Sequence, residues 1–425
     1  TKNNLFVRGY HQIAVFEHQR LYVGDNGFKQ SHLDALLKLN DFHQGAYFEP
    51  ISKGVKFSQY VGVIQVDGLI IEIHPKADKN DEDSNWKGVL LKMLKACGKL
   101  NAKSSGAANV KKQNLNLLEV YFELFLNEIT ALNRRGLIKK YRKETSNVKA
   151  LKGKLEFAGN IRQNLVHKER FYTSHQVYDT NHLIHQALYK ALDIVEQFTR
   201  GTRLYDATRR VLLDFPEVDH VKITKSSLES IQLNRKSYSY GYALELARLI
   251  ILNYSPDISA GKEKMLSLLF DMNDLWEEYV LKQLIIATEH TDIEVAGQES
   301  SGFWGNNTLR PDIVLRKGGK TYVVDTKWKQ PSNNSASVSD LRQMYTYCRF
   351  WKADKAMLLY PGDLAGNIFK EFKTADYFLL EEKHEEIKHQ CKMGYISVLN
   401  DAGELRDNLG EKVLSLMGIK TNFNI

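Results

Sequence analysis

Apolar and polar residues follow different periods in different parts of the chain. Strand-like runs dominate the first hundred residues, where Tyr60–Val66 and Leu69–Ile73 flank Asp67-Gly68. An Asp-Gly pair favours a tight type I′ turn, so these two runs predict a β-hairpin. From about Asn114 the apolar residues recur at helical spacing. The pattern therefore predicts a β-rich beginning followed by helices.

The last third of the chain has another order of patterns. A long helix is expected over Lys262–Glu289 and a helix around Leu341–Phe350. Strands are expected at Asp292–Gly297, Arg310–Arg316, Lys320–Lys327 and Ala356–Tyr360. This order predicts an α/β (α+β) fold around a mixed central sheet.

Composition and charge narrow the class of protein. The 425 residues are 43% hydrophobic and 26% charged, which excludes wholesale disorder. A net charge of +8 permits a polyanionic partner without requiring one. The three cysteines, Cys97, Cys348 and Cys391, are too far apart to indicate a disulfide framework or a zinc site. No apolar stretch approaches 18 residues, so we expect a cytoplasmic protein with neither a membrane span nor a signal peptide.

The segment 310–327 contains the most informative arrangement. If Gly318-Gly319 is a two-residue hairpin loop, the register places Asp312 directly opposite Asp325. Opposed residues share a face, with Cβ atoms roughly 4.5–5.5 Å apart. Lys327 lies two residues beyond Asp325 and therefore shares that face. The sequence thus predicts two carboxylates and an amine at one end of a hairpin.

Opposed carboxylates repel each other, and hard oxygen ligands at this spacing suit Mg²⁺. Such a metal can activate water, while a neighbouring lysine can orient or deprotonate that water or offset developing negative charge. The alternative is that Asp312 or Asp325 simply flanks a strand, because Asp-x-Lys triplets are common. Glu277 on the preceding helix, and Gln343 and Tyr347 at i, i+4 on the following one, favour the functional interpretation.

Taken together, Glu277, Pro311-Asp312, Asp325-Thr326-Lys327 and Gln343-x-x-x-Tyr347 resemble a PD-(D/E)xK nuclease of the RecB-like type. The resemblance is closer to McrC, the nuclease subunit of McrBC-type modification-dependent restriction systems. It extends over most of residues 60–350 and rests on these segments: 66–76, 135–137, 151–155, 179–184, 272–277, 309–312 and 325–329.

The resemblance implies a Mg²⁺-dependent endonuclease that acts on double-stranded DNA in phage defence. McrC proteins cut only in complex with an McrB-like AAA+ ring, which itself binds and hydrolyses GTP, and whose hydrolysis they stimulate. By motif match Asp312, Asp325 and the Thr326 carbonyl would hold one or two Mg²⁺ ions. Lys327 would be the catalytic lysine, and Glu277 would assist the metal. Gln343 and Tyr347 would support the site or contact DNA.

A strongly basic stretch lies earlier in the chain. Residues 134–170 contain 12 Lys and Arg against 3 Glu. This stretch could contact phosphates of DNA or the partner, or it could be a solvated surface. The candidate contacts are Arg134, Arg135, Lys139, Lys140, Arg142 and Lys143. His182 and His185, by contrast, lie among apolar neighbours and lack a third ligand, which favours packing over metal binding.

The expected organisation has three consecutive parts. Residues 1–165 form a β-rich module that docks on the AAA+ partner, 166–255 form a helical connection, and 256–425 form the PD-(D/E)xK nuclease domain. Two alternatives stay open. One is a stand-alone RecB-like DNA repair nuclease, and the other is a non-cutting activator of the AAA+ partner.

Overall fold

The structure is a computed structural model. It describes residues 11–66, 68–76, 83–100, 116–255, 265–329, 331, 335–363, 368–373 and 388–420. Asp67 and the first residues of the helix expected from Lys262 therefore lie outside the described residues.

Strands and helices are interspersed along the whole chain. The strands are β1 His11–Phe16, β2 Arg20–Tyr22, β3 Phe48–Ile51, β4 Gly54–Phe57, β5 Tyr60–Val66, β6 Leu69–His74, β7 Lys140–Val148, β8 Lys154–Leu155, β9 Phe171–Asp179, β10 Tyr254–Ser255, β11 Met265–Asp271, β12 Glu294–Gly297, β13 Ser301–Trp304, β14 Asn307–Leu309, β15 Ile313–Lys317, β16 Lys320–Thr326, β17 Lys355–Pro361, β18 Lys370–Glu371 and β19 Gln390–Ile396. The helices are α1 Gln30–Phe42, α2 Asp83–Ala96, α3 Leu117–Arg135, α4 Phe157–Asn164, α5 Leu183–Thr199, α6 Tyr205–Asp214, α7 Lys225–Glu229, α8 Gly241–Leu252, α9 Met272–Thr288, α10 Val338–Trp351 and α11 Leu409–Met417.

The chain is a mixed α/β protein with two compact units that are not consecutive segments. One unit comprises residues 1–12, 63–70 and 102–268, and the other comprises 13–62, 71–101 and 269–425. The three consecutive parts expected from the sequence, 1–165, 166–255 and 256–425, remain a prediction.

The second unit contains a six-stranded sheet with the strand order β12-β15-β16-β17-β19-β18. The pairs β12–β15 and β15–β16 are antiparallel, whereas β16–β17 and β17–β19 are parallel. Helix α10 packs on this sheet through Met344, Tyr347 and Cys348, which join buried residues of β16, β17 and β19. The mixed sheet expected from the sequence is thus confirmed.

The hairpin register is also confirmed. Lys317 pairs with Lys320, and the pairing continues without a shift to Ile313 and Val324. Gly318 and Gly319 have φ values of 55° and 76°, the left-handed conformations that a type I′ turn requires at both central positions. Asp312 is one step beyond Ile313, so it continues the same register towards Asp325.

The long helix expected over Lys262–Glu289 is wrong in its first part. Met265–Asp271 forms the strand β11, and α9 begins only at Met272. The strand lies between β5 and β10 in a five-stranded sheet, and its first four residues, Met265–Leu268, are all buried. Such a run cannot be distinguished from a buried helix by its period. The Asp271 side chain then caps α9 by accepting from the Asn273 N–H at 2.8 Å.

The first hundred residues contain more helix than their pattern predicts. Helices α1 and α2 lie among the strands there. The expected hairpin is present, because β5 and β6 are neighbours and Gly68 has φ of 76°.

The first unit contains helices α3, α5, α6 and α8 and the ribbon of β7 and β9. Nine residue pairs join the ribbon strands, from Lys140–Asp179 to Val148–Phe171. On α5 of the same unit, His185 is fully buried, with Nδ1 2.7 Å from the Thr180 carbonyl and Nε2 3.2 Å from the Tyr240 hydroxyl. His185 is therefore a packed, hydrogen-bonded residue, as the sequence favours. Among the described residues, no helix has the length and apolar character needed to cross a membrane.

Candidate active site

Asp312, Asp325 and Lys327 meet at the open end of the β15–β16 hairpin. The Thr326 N–H and hydroxyl donate to Asp312 Oδ2 at 2.6 and 2.9 Å. Lys327 Nζ lies 2.7 Å from Asp325 Oδ2. The register therefore brings together two acids and one amine, as the sequence predicts.

Burial controls the ionisation of these carboxylates. The Asp325 side chain is only 1% exposed. Burial, followed by repulsion from Asp312, raises the pKa of Asp325 to about 7 although Lys327 lowers it. Burial also raises the pKa of Asp312, against the hydrogen bonds from Thr326. Both acids lie in an environment that disfavours their negative charge, so a cation bound at this end of the hairpin would be favourable.

Lys327 is held between two oxygen acceptors. Besides Asp325, its Nζ donates to Gln343 Oε1 at 3.4 Å. Burial lowers the pKa of Lys327, but attraction to Asp325 and Asp312 outweighs burial and the net shift is upward. The lysine is therefore an ammonium group with a fixed direction.

Gln343 and Tyr347 lie on the same face of α10, as their i, i+4 spacing predicts. Gln343 Nε2 donates to the Tyr347 hydroxyl at 2.8 Å, and that hydroxyl donates to the Arg310 carbonyl at 3.1 Å. The two residues thus connect Lys327 to the segment that enters β15. Their roles in support or in DNA contact remain predictions.

Glu277 belongs to the same electrostatic environment. Burial and then repulsion from Asp312 raise its pKa. Gln298 Nε2 donates to Glu277 Oε1 at 2.7 Å, and the Gln298 N–H donates to the Asp312 carbonyl at 2.9 Å. Gln298 thus joins α9 to the β15–β16 hairpin. Sequence reasoning missed it because nothing in the sequence around position 298 indicates its left-handed backbone, with φ of 52°.

The donor chemistry of this site fits a hard cation in part. Asp312 and Asp325 offer carboxylate oxygens, the ligands that Mg²⁺ prefers. Within the described ranges, no group of three or more His, Cys, Asp or Glu side chains is arranged to hold a metal. A metal would therefore need further oxygen donors, such as water and the predicted Thr326 carbonyl.

The basic candidates belong to the other compact unit. Arg134 and Arg135 end α3, Lys139 precedes β7, and the remaining three lie on β7. Arg142 donates to Asp179 Oδ2 from Nε at 3.1 Å and from Nη2 at 2.9 Å, so this arginine is engaged within the ribbon.

Comparisons with known proteins agree on one family. The family model described as McrBC 5-methylcytosine restriction system component matches residues 55–361. The Type IV methyl-directed restriction enzyme EcoKMcrBC of Escherichia coli strain K12 is 21% identical over 238 residues, covering 52% of this chain and 68% of that protein.

Two solved structures are also similar to this chain. One is a half-complex from a tetradecameric assembly of Thermococcus gammatolerans McrB AAA+ hexamers with bound McrC. Its matching chain has a TM-score of 0.66 and 20% identity, over 96% of this chain and 100% of that one. A second McrBC complex from Thermococcus gammatolerans matches with a TM-score of 0.48 and 22% identity, over 64% and 87% of the two chains. The first match supports the fold alone. The family model matches well over half of the length of this chain. The chain therefore belongs to the McrBC 5-methylcytosine restriction system component family.

Proposed function

We propose that this chain is the McrC-type, Mg²⁺-dependent endonuclease subunit of a restriction system and hydrolyses phosphodiester bonds of double-stranded DNA. One observation carries the proposal: the hairpin register places Asp312 and Asp325 together, with Lys327 Nζ 2.7 Å from Asp325. Two buried acids placed together raise each other's free energy, and packing alone gives no reason for the arrangement. A PD-(D/E)xK site requires this set of residues.

Each side chain has a separate task in this proposal. Asp312 and Asp325 would hold the Mg²⁺, which supplies charge stabilisation at the phosphate and lowers the pKa of a bound water. Lys327 contributes N–H donors and positive charge beside the scissile phosphate. Glu277 offers a further carboxylate on the α9 side, held in place by Gln298.

The reaction is a simple displacement. A water oxygen forms a bond to phosphorus, and the bond from phosphorus to the leaving sugar oxygen breaks. The water loses a proton, and the sugar oxygen gains one. The site must therefore orient the water and stabilise charge on the phosphate, for which the fixed direction of Lys327 is suited.

We further propose that the chain acts with an McrB-like AAA+ ring that binds GTP. Family membership and the fold shared with a chain from an assembly of McrB hexamers with bound McrC support this partner. The basic residues 134–143 are candidate contacts with the ring or with DNA. The cytoplasm is the expected location.

A plasmid-cleavage assay tests both parts of the proposal. It compares this chain alone with a mixture of the chain, the AAA+ protein, GTP and Mg²⁺, on methylated and unmethylated DNA. Cleavage only in the complete mixture, lost with EDTA and in Asp325→Ala, is the expected result. Cleavage by the chain alone would instead support a repair nuclease. Stimulated GTP hydrolysis without cleavage would support a non-cutting activator.

A further inference from the structure

Trp328, the residue immediately after Lys327, is buried although it lies beyond the end of β16. Its side chain is 5% exposed. The ring centroid is 5.4 Å from that of Trp276 on α9 and 6.4 Å from that of Trp86 on α2. Trp276 in turn precedes Glu277, so two of these rings are next in sequence to residues of the candidate site.

The three indole N–H groups differ in their hydrogen bonding. Those of Trp86 and Trp276 are buried without a hydrogen-bond partner among the described residues. The Trp328 N–H donates to Glu17 Oε1 at 2.7 Å. Packing places all three rings, but only Trp328 is also fixed by a directional bond to a carboxylate.

Glu17 is a constrained acceptor. It is 6% exposed, and the same Oε1 accepts from the Lys76 N–H at 2.9 Å. The Glu17 N–H donates to the His74 carbonyl at 3.0 Å, whereas Oε2 has no hydrogen-bond partner in the described part of the chain. The carboxyl group thus joins the ends of β1 and β6 to the residue that follows Lys327.

A buried carboxylate is a poor way to increase stability. Desolvation by burial raises the pKa of Glu17 to about 7, in spite of its two hydrogen bonds. An apolar side chain of similar size would avoid that cost. What the carboxyl group provides is a fixed acceptor at one place.

We infer that Glu17 is a positioning residue for the nuclease site: it holds Trp328, and through Trp328 it fixes the backbone that presents Lys327 to Asp325. The inference rests on the proposed nuclease function. The Lys327 N–H donates to the Leu359 carbonyl at 2.9 Å, which holds the backbone at Lys327 to β17. Beyond this bond, the next described hydrogen bond along the chain is the one from Trp328 to Glu17.

The expected effect of losing Glu17 follows from the sensitivity of turnover to the position of a catalytic group. A displacement of about 1 Å in a catalytic group reduces turnover by up to about 100-fold. Without Glu17 the Trp328 indole N–H would lose its acceptor, and the Lys327 segment would gain freedom next to the reacting phosphate.

The experiment measures kcat and KM for plasmid cleavage in the complete mixture. We expect Glu17→Ala to lower kcat by about 10–100-fold while KM for DNA changes by less than about threefold. Glu17→Gln keeps an oxygen acceptor for Trp328 and Lys76, so kcat should stay within about threefold of the wild type. In a Trp328→Phe background, which lacks the indole N–H, Glu17→Ala should lower kcat much less than in the wild type.

Asn40→Ala is the matched control for stability. Asn40 lies in the same compact unit and has three buried hydrogen bonds: it donates to the Phe48 carbonyl at 2.8 Å and accepts from the Tyr47 and Phe48 N–H groups at 3.0 Å. It has no described contact with residues 325–328, so its loss should lower stability and leave kcat unchanged.

Three results would overturn the inference. The first is an unchanged kcat in Glu17→Ala. The second is a loss of kcat in Glu17→Gln as large as that in Glu17→Ala. The third is a loss of kcat of the same size in Asn40→Ala, when the two variants have the same unfolding temperature. A wild-type complex that does not cut DNA would overturn the proposed function itself, and the positioning role with it.

Discussion

Asp325 and Asp179 each contact a basic side chain at one end of an antiparallel pair of strands, yet their ionisation shifts in opposite directions. Lys327 Nζ lies 2.7 Å from Asp325, and Arg142 Nη2 lies 2.9 Å from Asp179. The pKa of Asp325 is raised to about 7, chiefly by burial. The pKa of Asp179 is lowered, chiefly by the hydrogen bonds from Arg142.

Exposure explains the difference. The side chain of Asp179 is 30% exposed and that of Asp325 only 1%. Water solvates the Asp179 carboxylate, so Arg142 only adds to its stabilisation. In the hairpin, Lys327 at a similar distance does not offset the solvation that the buried Asp325 carboxylate has lost. Contact with a base therefore does not distinguish the two acids, whereas burial does, and the buried Asp325 is the candidate functional acid.

The largest expected effect is the loss of Asp325. Asp325→Ala should reduce cleavage by about 10³-fold or more, because it removes a carboxylate proposed to hold the metal. Partner binding and GTPase stimulation should remain, as measured by co-purification and phosphate release. Loss of these together with cleavage would show that Asp325 is structural.

Replacing the basic side chain beside each acid tests the comparison between the hairpin and the ribbon. Lys327→Met should lower cleavage by about 10²–10³-fold, since the lysine is proposed to stabilise charge on the reacting phosphate. Arg142→Met, at the exposed pair, should change the free energy of unfolding by no more than about 1 kcal/mol. Single-turnover cleavage and urea denaturation measure the two effects. A Lys327→Met complex with wild-type turnover would contradict the assigned role.

Glu17 extends the comparison to a third carboxylate, whose Oε2 lies 3.9 Å from His18 Nε2, beyond hydrogen-bond distance. Its pKa is about 4.5 in the unfolded chain and about 7 in the folded one, so the folded state binds more protons between these values. Its contribution should make the protein less stable as pH rises from about 4.5 to about 7, by on the order of 3 kcal/mol. Glu17→Gln should lack this component in urea denaturation at a series of pH values. Parallel curves for the two proteins would show that Glu17 is not buried in this way.

The smallest effect is expected at the exposed acid itself. Asp179→Asn should lower the free energy of unfolding by about 0.5–1 kcal/mol, and less at about 1 M salt because exposed charges are screened. Urea denaturation at low and high salt measures the difference. If Asp179→Asn lowered cleavage as much as Asp325→Ala does, the contrast between the ribbon and the hairpin would disappear.

The hairpin was predictable because its turn and its pairing are local. Gly318-Gly319 fixes the loop, and the register then places Asp312 and Asp325 by counting. The i, i+4 pair of Gln343 and Tyr347 follows from the same kind of local geometry. Period and turn chemistry suffice where the interacting residues are close in sequence.

The remaining features depend on contacts that no local pattern contains. The apolar run Met265–Asp271 is compatible with a buried helix or a buried strand, and its neighbours in the sheet decide the outcome. Gln298 reaches Glu277 through an unusual backbone conformation. Glu17 meets Trp328 across 311 positions, which no spacing rule could detect.

The long separation of Glu17 and Trp328 also has a consequence in time. A ribosome adding about 5–20 residues per second makes the second residue roughly 15–60 s after the first. During synthesis Glu17 leaves the ribosome long before Lys327, which we infer that it helps to place. Residues 13–62 belong to a compact unit that also requires residues 269–425. A nascent chain therefore lacks the assembled candidate site until residues 269–425 have been made. An enzyme with the proposed nuclease activity would thus be inactive while it is being made.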